Sequence, residues 1–529
     1  SKPVPACCSF FMNTLIMKMV CFSVMTFWAG LLAGQNTFSY RYHLGYPAAV
    51  FTTIVATDSL YYIVGVMADS VPPHKKGNIF LRISQTGELL SVKALSSPVK
   101  TYETWFGNMA FNPRGELAVS GYTVDSTIKS MLLVFNTEGD TLFSGQFVHP
   151  NYPEVSNALA RDFKVVEDGY ILVNEINNSD GTWDIDIELL KLDTLGNLQW
   201  SKTFGTTTRD DTPQSVIRTP SGYIIASIRD NTNSTHENFE FRNHIFEISD
   251  EGEILWQYLS PIDELRGLKG GVIPTSDGGL LVLTGKGIEV YVNPDTGQPR
   301  WHSYVFKLNA SHQEEWGVFV RDSLEAITPN NQLRAALELG DGSGFVVAGN
   351  LVARTPENWF FSGVAAKISP TGELLWKRYY QHIIGQGPRH YIYDLAQAPD
   401  GGFVMVGEVR DTINAPRQQG WLLKVDEYGC LVPGCQLVSQ VESPAQAAAP
   451  RLLLYPNPVR EQLQVYYQSG GPAEAEFRIV DAQGRAWRHF HARLPEVTLI
   501  VDVAELPAGL YFLRCVQEGR AAQAQFVKQ

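Results

Sequence analysis

The 529-residue chain carries 42 Lys and Arg against 55 Asp and Glu, a formal net charge of −13, with 44% apolar and 18% charged residues. That apolar content excludes a disordered chain, and the acidic balance excludes nucleic acid as a partner, because gripping a phosphate backbone requires clustered cations. With 45 Gly, 29 Pro and 11% aromatic residues, the composition favours many short strands joined by tight turns.

Residues 1–11 precede the first methionine, Met12, and stand outside the fold argument. Lys18 followed by an apolar run from Met19 to Gly34 has the layout of a secretory signal, so residues 12–35 are read as a leader cleaved near Ala33 or Gly34. The run is short for a spanning helix and no basic cluster follows it. Gln35 stands where a lipoprotein would need a cysteine to acylate.

From residue 36 to residue 435 one unit recurs seven times. In one copy, Ser215 to Ser227 with Gly222 is followed by His244 to Trp256 with Gly252; further copies hold Gly169 with Asp193 to Trp200, Asp277-Gly-Gly279 with Trp316, Gly344 with Gly372 to Trp376, and Asp400-Gly-Gly402 with Asp426 to Gly429. Two looser copies lie around 59–87 and 115–139. Each holds an apolar strand after a Gly turn, a strand ending in an Asp/Asn-x-x-Gly turn, and a strand opening with an aromatic; a fourth strand precedes the Gly turn. Four short strands that cannot bury both faces alone predict a propeller blade. The seventh copy lacks its aromatic strand, whereas residues 37–45 resemble that strand with no repeat to own it, so the N-terminal segment is expected to complete blade seven and remove an open edge. The recurring Asp-x-x-Gly-x-x-x-Trp is similar to the tryptophan-docking motif of quinoprotein propellers. Trp200, Trp256, Trp316 and Trp376 are read as packing between blades, and the quinoprotein activity is not carried over. Cys430 and Cys435 flank a Pro433-Gly434 turn and are expected to form a disulfide in an oxidising exterior.

Residues 436–450 have no period and read as a linker. Beyond them Leu463, Val465 and Tyr467, then Phe477 and Ile479, then Tyr511, Leu513 and Cys515 alternate with polar residues, as strands of a small β-sandwich do. Within residues 451–529, five blocks occur in order: Tyr455-Pro456-Asn457-Pro458, Leu463-Gln-Val465, Asp481 with Gly484-Arg485, Pro507-Ala-Gly509-Leu-Tyr511, and a terminal Phe526-Val-Lys528. Together they resemble the type A C-terminal sorting domain of type IX secretion. The resemblance implies export to the periplasm, passage across the outer membrane, removal of the domain by a sortase-like peptidase in the linker, and release or attachment at the cell surface. The fold expected is therefore all-β, a seven-bladed β-propeller followed by a small Ig-like β-sandwich, with no membrane span once the leader is removed.

No linear catalytic motif, metal site or cofactor signature is present, and the sequence decides neither for nor against an enzyme. Before the inner strands stand Arg161-Asp162, Arg209, Arg266, Arg334 and Arg389-His390; Arg209, Arg266 and Arg389 fall at one offset from Gly222, Gly279 and Gly402. Equivalent positions in a ring converge, so these side chains are candidates for binding carboxylate or sulfate groups, as on an acidic glycan, with pairing to nearby acids as the alternative. The functional expectation is a surface binding or adhesion module for glycan or protein ligands, with a secreted polysaccharide- or peptide-degrading hydrolase or lyase as the alternative.

Overall fold

The computed structural model describes residues 35–529 except 70–73, 150–156, 178–184, 207–208, 231–240, 262–269, 293–298, 322–330, 355–358, 384–386, 413–416, 438–450, 456–457, 469–473, 482–483, 494–498, 518–519 and 529. All of the leader except Gln35 therefore lies outside the described residues, as do Arg266, Pro456, Asn457 and most of the linker.

Seven four-stranded antiparallel blades follow one another along the chain. The first six span 49–95, 101–147, 158–204, 210–259, 272–319 and 332–380, and each runs in simple sequence order from inner to outer strand. Blade seven takes three strands from 389–425 and its outer strand from Phe38–Tyr42, which lies antiparallel to Gln418–Val425 with Tyr40 opposite Leu422. This is how the ring closes, and it covers the edge that Gln418–Val425 would otherwise leave open. Gln35 already belongs to this seam: its amide donates to the Asp400 carbonyl at 2.6 Å and its oxygen accepts from the Glu427 N–H at 2.9 Å.

Blade faces are apolar and stack on their neighbours, so the hydrophobic clusters straddle blade boundaries. Trp200, Trp256, Trp316 and Trp376 each pack into such a cluster with residues of the following blade. The Trp316 ring lies where a Cβ on Gly372 would come within 2.7 Å, and Trp376 stands in the same relation to Gly429. Both glycines have positive φ, +87° and +71°, so the turn demands glycine once for backbone conformation and again for the neighbour's ring. In blade seven Phe38 takes the tryptophan's register position, opposite Lys424, and the Phe38–Tyr40 pair covers Gly87 of blade one. Inside the blades, buried lysines at equivalent positions reach the aspartate of their own Gly turn: Lys191 to Asp168 at 2.7 Å, Lys307 to Asp277 at 2.6 Å and Lys424 to Asp400 at 2.8 Å. Cys430 and Cys435 form a disulfide with their Cα atoms 5.6 Å apart.

The C-terminal domain is a β-sandwich of a three-stranded and a four-stranded sheet. Its core draws on Leu463, Val465, Phe477, Ile479, Tyr511, Leu513 and Phe526. The alternation read in the sequence is the inward face of these strands. Cys515 is buried there, and desolvation pushes its thiol up to about 11, so it behaves as a small apolar side chain.

Candidate functional site

The first strands of the blades line the centre of the ring, and six of the seven share an irregularity that the one from Val272 to Pro274 lacks. Register shifts fall between Phe51 and Thr53, Thr104 and Met109, Ala160 and Asp162, Pro213 and Ser215, Leu333 and Ala335, and Ile392 and Asp394. A bulge leaves its extra residue out of the ladder and re-aims it. The residues left out are Thr52, the four from Trp105 to Asn108, Arg161, Gln214, Arg334 and Tyr393. The residue after the bulge ties the next blade: Asp162 accepts from the Val216 N–H at 2.9 Å, Ser215 Oγ accepts from Val272 N–H at 3.1 Å, and Asp394 accepts from Ile54 N–H at 2.8 Å and Thr53 Oγ1 at 2.9 Å.

These strands enclose a cavity of about 160 Å³ whose lining includes Trp105, Phe106, Arg161, Gln214, Gly271 and Arg334. The bulge of blade two leaves four residues out of the ladder where each of the others leaves one. Phe106 stacks on Tyr393 of blade seven with ring centroids 4.1 Å apart, and Arg161 of blade three lies 4.2 Å over the Trp105 ring. Arg334 of blade six stands over both Phe106 and Tyr393, at 5.0 and 5.6 Å.

The charges in the channel are not equivalent. Arg161 is held by Glu175, with Nε donating at 2.8 Å, and Lys164 pairs with Asp162 at 2.8 Å. Asp394 is enclosed by donors from its own and the first blade, and burial raises its carboxyl to about 6. Arg334 donates to Gln332 Oε1 at 2.5 Å, and no carboxylate among the described residues comes within ion-pair distance of it. Desolvation lowers its pKa from the usual guanidinium range. Glu408, the carboxylate whose charge acts on it, is already bound by Arg410, Tyr393 and Gln418.

Of the residues singled out in the sequence, the cavity brings together Arg161, Asp162 and Arg334. Arg209 and Arg389 are not among its lining residues; Arg389 is exposed at the start of its strand and lies 4.6 Å over Phe361. His390 is fully buried, accepting from Ile383 N–H at 3.0 Å and bonding the Phe361 carbonyl at 2.9 Å, so it builds blade seven. Sequence reasoning missed Trp105, Phe106 and Tyr393. The signal that marks most bulge positions is the small or acidic bracket residue that follows, as in Arg161-Asp162, Gln214-Ser215 and Tyr393-Asp394. Among the described residues no group of three or more His, Cys, Asp or Glu could hold a metal ion.

In the C-terminal domain the motif residues build turns and core. Asp481 accepts from the Arg485 N–H and from Trp487 Nε1, each at 2.9 Å, across a turn that needs Gly484 at φ +81°. Tyr511 donates to the Pro507 carbonyl at 2.9 Å and stacks on Phe526. Residues 453–529 match the family model described as a secretion system C-terminal sorting domain. The chain is thus an exported β-propeller bearing a type IX sorting domain, addressed to the type IX machinery and to secretion or attachment at the outer cell surface. No helix among the described residues is long and apolar enough to cross a membrane.

No curated protein matches the chain. Among solved structures, it is similar to the β-propeller domain of the Trilobed protease from Pyrococcus furiosus, at 10% identity over 75% of this chain and 99% of that one, with a TM-score of 0.37. It is similar also to Drosophila Semaphorin 2a, at 8% identity over 93% and 98% with a TM-score of 0.42. A protein of unknown function from Bacteroides caccae matches at 13% identity over 51% and 81%, TM-score 0.30. Likeness at this level says nothing of what the channel binds.

Proposed function

We propose that the propeller is a non-catalytic binding or adhesion module, presented outside the outer membrane, which takes glycan or protein ligands at the centre of its ring. The observation that carries this reading is the convergence of bulge residues from separate blades, aromatic and cationic together, on one cavity. A hydrolase or lyase needs an acid and a base free to exchange protons with a substrate. The two carboxylates that line the cavity, Asp162 and Asp394, are each engaged in holding the backbone of the following blade, which favours binding over catalysis. The same reading places the peptidase cut between Cys435 and Leu452.

Gly271 lines the cavity, and a Cβ there would meet nothing closer than 3.8 Å, so Gly271→Phe fills the channel without forcing the backbone. The variant is expected to lose retention on a panel of immobilised glycans and surface proteins while melting within about 2 °C of the parent. Retention equal to the parent's would remove the channel as the binding site.

A further inference from the structure

We propose that the cavity receives the carboxylate of an acidic sugar, a hexuronate, with Arg334 as its counter-charge; this rests on the channel being the binding site. Every other charge lining the cavity is answered inside the protein: Arg161 by Glu175, Lys164 by Asp162, and Asp394 by the amides of Ile54 and Leu395. Arg334 has one hydrogen bond, to a neutral glutamine, and its Nε lacks a partner. A desolvated cation without an anion is costly, and an incoming carboxylate offsets that cost. The guanidinium also lies over the Phe106 and Tyr393 rings, which restrict its freedom before a ligand arrives.

The surroundings favour a sugar over an acidic peptide. Trp105 and Phe106 offer apolar surface, while Gln214 keeps Oε1 available as an acceptor after its amide bonds the Pro213 carbonyl at 2.8 Å. Apolar faces interleaved with hydroxyl partners suit a pyranose ring. A volume of about 160 Å³, close to the ~150 Å³ of a protein cavity that takes one benzene ring, is on the scale of a single sugar ring.

Titration calorimetry on the full chain, with D-glucuronate, D-galacturonate, D-glucose, triglutamate and sodium sulfate as probes, tests this. At least one uronate is expected to bind ten-fold or more tightly than glucose, triglutamate or sulfate, and more weakly as salt rises. Arg334→Met should reduce uronate to the level of glucose, and Arg334→Lys, which keeps charge but loses the planar fork, should fall between. Equal binding of glucose and both uronates, or equal or tighter binding of triglutamate or sulfate, overturns the proposal, and this comparison needs no variant to fold. Uronate binding unchanged in a folded Arg334→Met overturns it too. Glycan binding blocked by Gly271→Phe but indifferent to Arg334 would sink the uronate assignment alone, whereas binding indifferent to Gly271→Phe would sink the channel itself.

Discussion

A single turn position shows how much of the ring is decided by one atom. Gly115 and Gly372 both hold positive φ, +74° and +87°, but a Cβ at Gly115 would meet nothing within 4 Å, while one at Gly372 would press into the Trp316 ring at 2.7 Å. Alanine at either position bears a left-handed backbone penalty of about 1 kcal/mol. At Gly372 the ring must also move, adding about 2 kcal/mol in the range of overpacked cores. Urea denaturation should therefore show Gly372→Ala costing about 3 kcal/mol against about 1 for Gly115→Ala; equal losses would mean that the tryptophan contact contributes nothing. Blade five supplies the natural counterpart. His312 occupies the glycine position at φ 60° and stacks on Trp256 with centroids 3.6 Å apart, so the stacking gain of about 1 kcal/mol offsets the backbone strain. His312→Gly should accordingly be neutral to within about 0.5 kcal/mol. The tryptophans were legible as packing because they recur at one offset from a turn. Which turn residue Trp256, Trp316 and Trp376 each meet was not, since that partner lies a whole blade further along.

At the scale of the element, the strand that closes the ring is also the place where acid should act first. Strand Phe38–Tyr42 buries Phe38 and Tyr42, accepts Trp421 Nε1 on Ser39 Oγ at 2.9 Å, and anchors Thr37 Oγ1 on the Leu431 carbonyl at 2.7 Å. Two buried aromatics at roughly 2 kcal/mol each exceed what a trimmed tail contributes, and against the unfolding entropy of a ring of about 400 residues, ~2.1 cal/mol/K each, deleting residues 36–45 should lower Tm by about 5 °C. An unchanged melt would show that the ring does not depend on this strand. Beside it lie His382, bonded to Ser39 Oγ at 3.1 Å, and His390; desolvation first, then Arg41 and other histidines, lower both to about 4. A histidine depressed below its unfolded value of about 6.5 leaves the unfolded state with more protons, so its stabilising contribution is complete above pH 6.5 and is lost as pH falls toward 4. Glu188, raised to about 7, and Asp394, raised to about 6, act in the opposite sense and blunt any global melt. The local readout separates them: amide exchange in strand 38–42, corrected for intrinsic rate, should accelerate between pH 6.5 and 4.5 relative to strand Gly222–Asp230. Parallel behaviour of the two strands would remove the histidines from this role. The closing strand was legible because it was an aromatic strand without a repeat. The bulges were not, because a register shift is decided by pairing across the blade, and Arg161 and Arg334 sit in bulges while Arg209 and Arg389, aligned by sequence offset, do not.

For the whole molecule, the decisive feature is that its hydrophobic cores divide cleanly at the linker. One cluster draws all its members from 452–526, and those of the ring draw theirs from 38–431. The sheets divide in the same way. This division was legible because each half repeats its own pattern: seven blade units before residue 436, and five ordered sorting blocks after residue 451. The ligand was not legible, because the cavity is assembled from residues scattered over six blades that share no linear spacing. Folding energy that is local to each half predicts that neither needs the other to be stable, whereas export needs both signals. A chain ending at Leu437 retains the disulfide between Cys430 and Cys435 and every strand of the ring. It should melt within about 2 °C of the propeller transition in the full chain, and fractionation should find it in the periplasm rather than at the surface or in the medium. A truncated ring that melts several degrees lower would show that the C-terminal domain stabilises the propeller directly, and a truncated chain that still reaches the surface would mean that residues 453–529 are not what addresses it there.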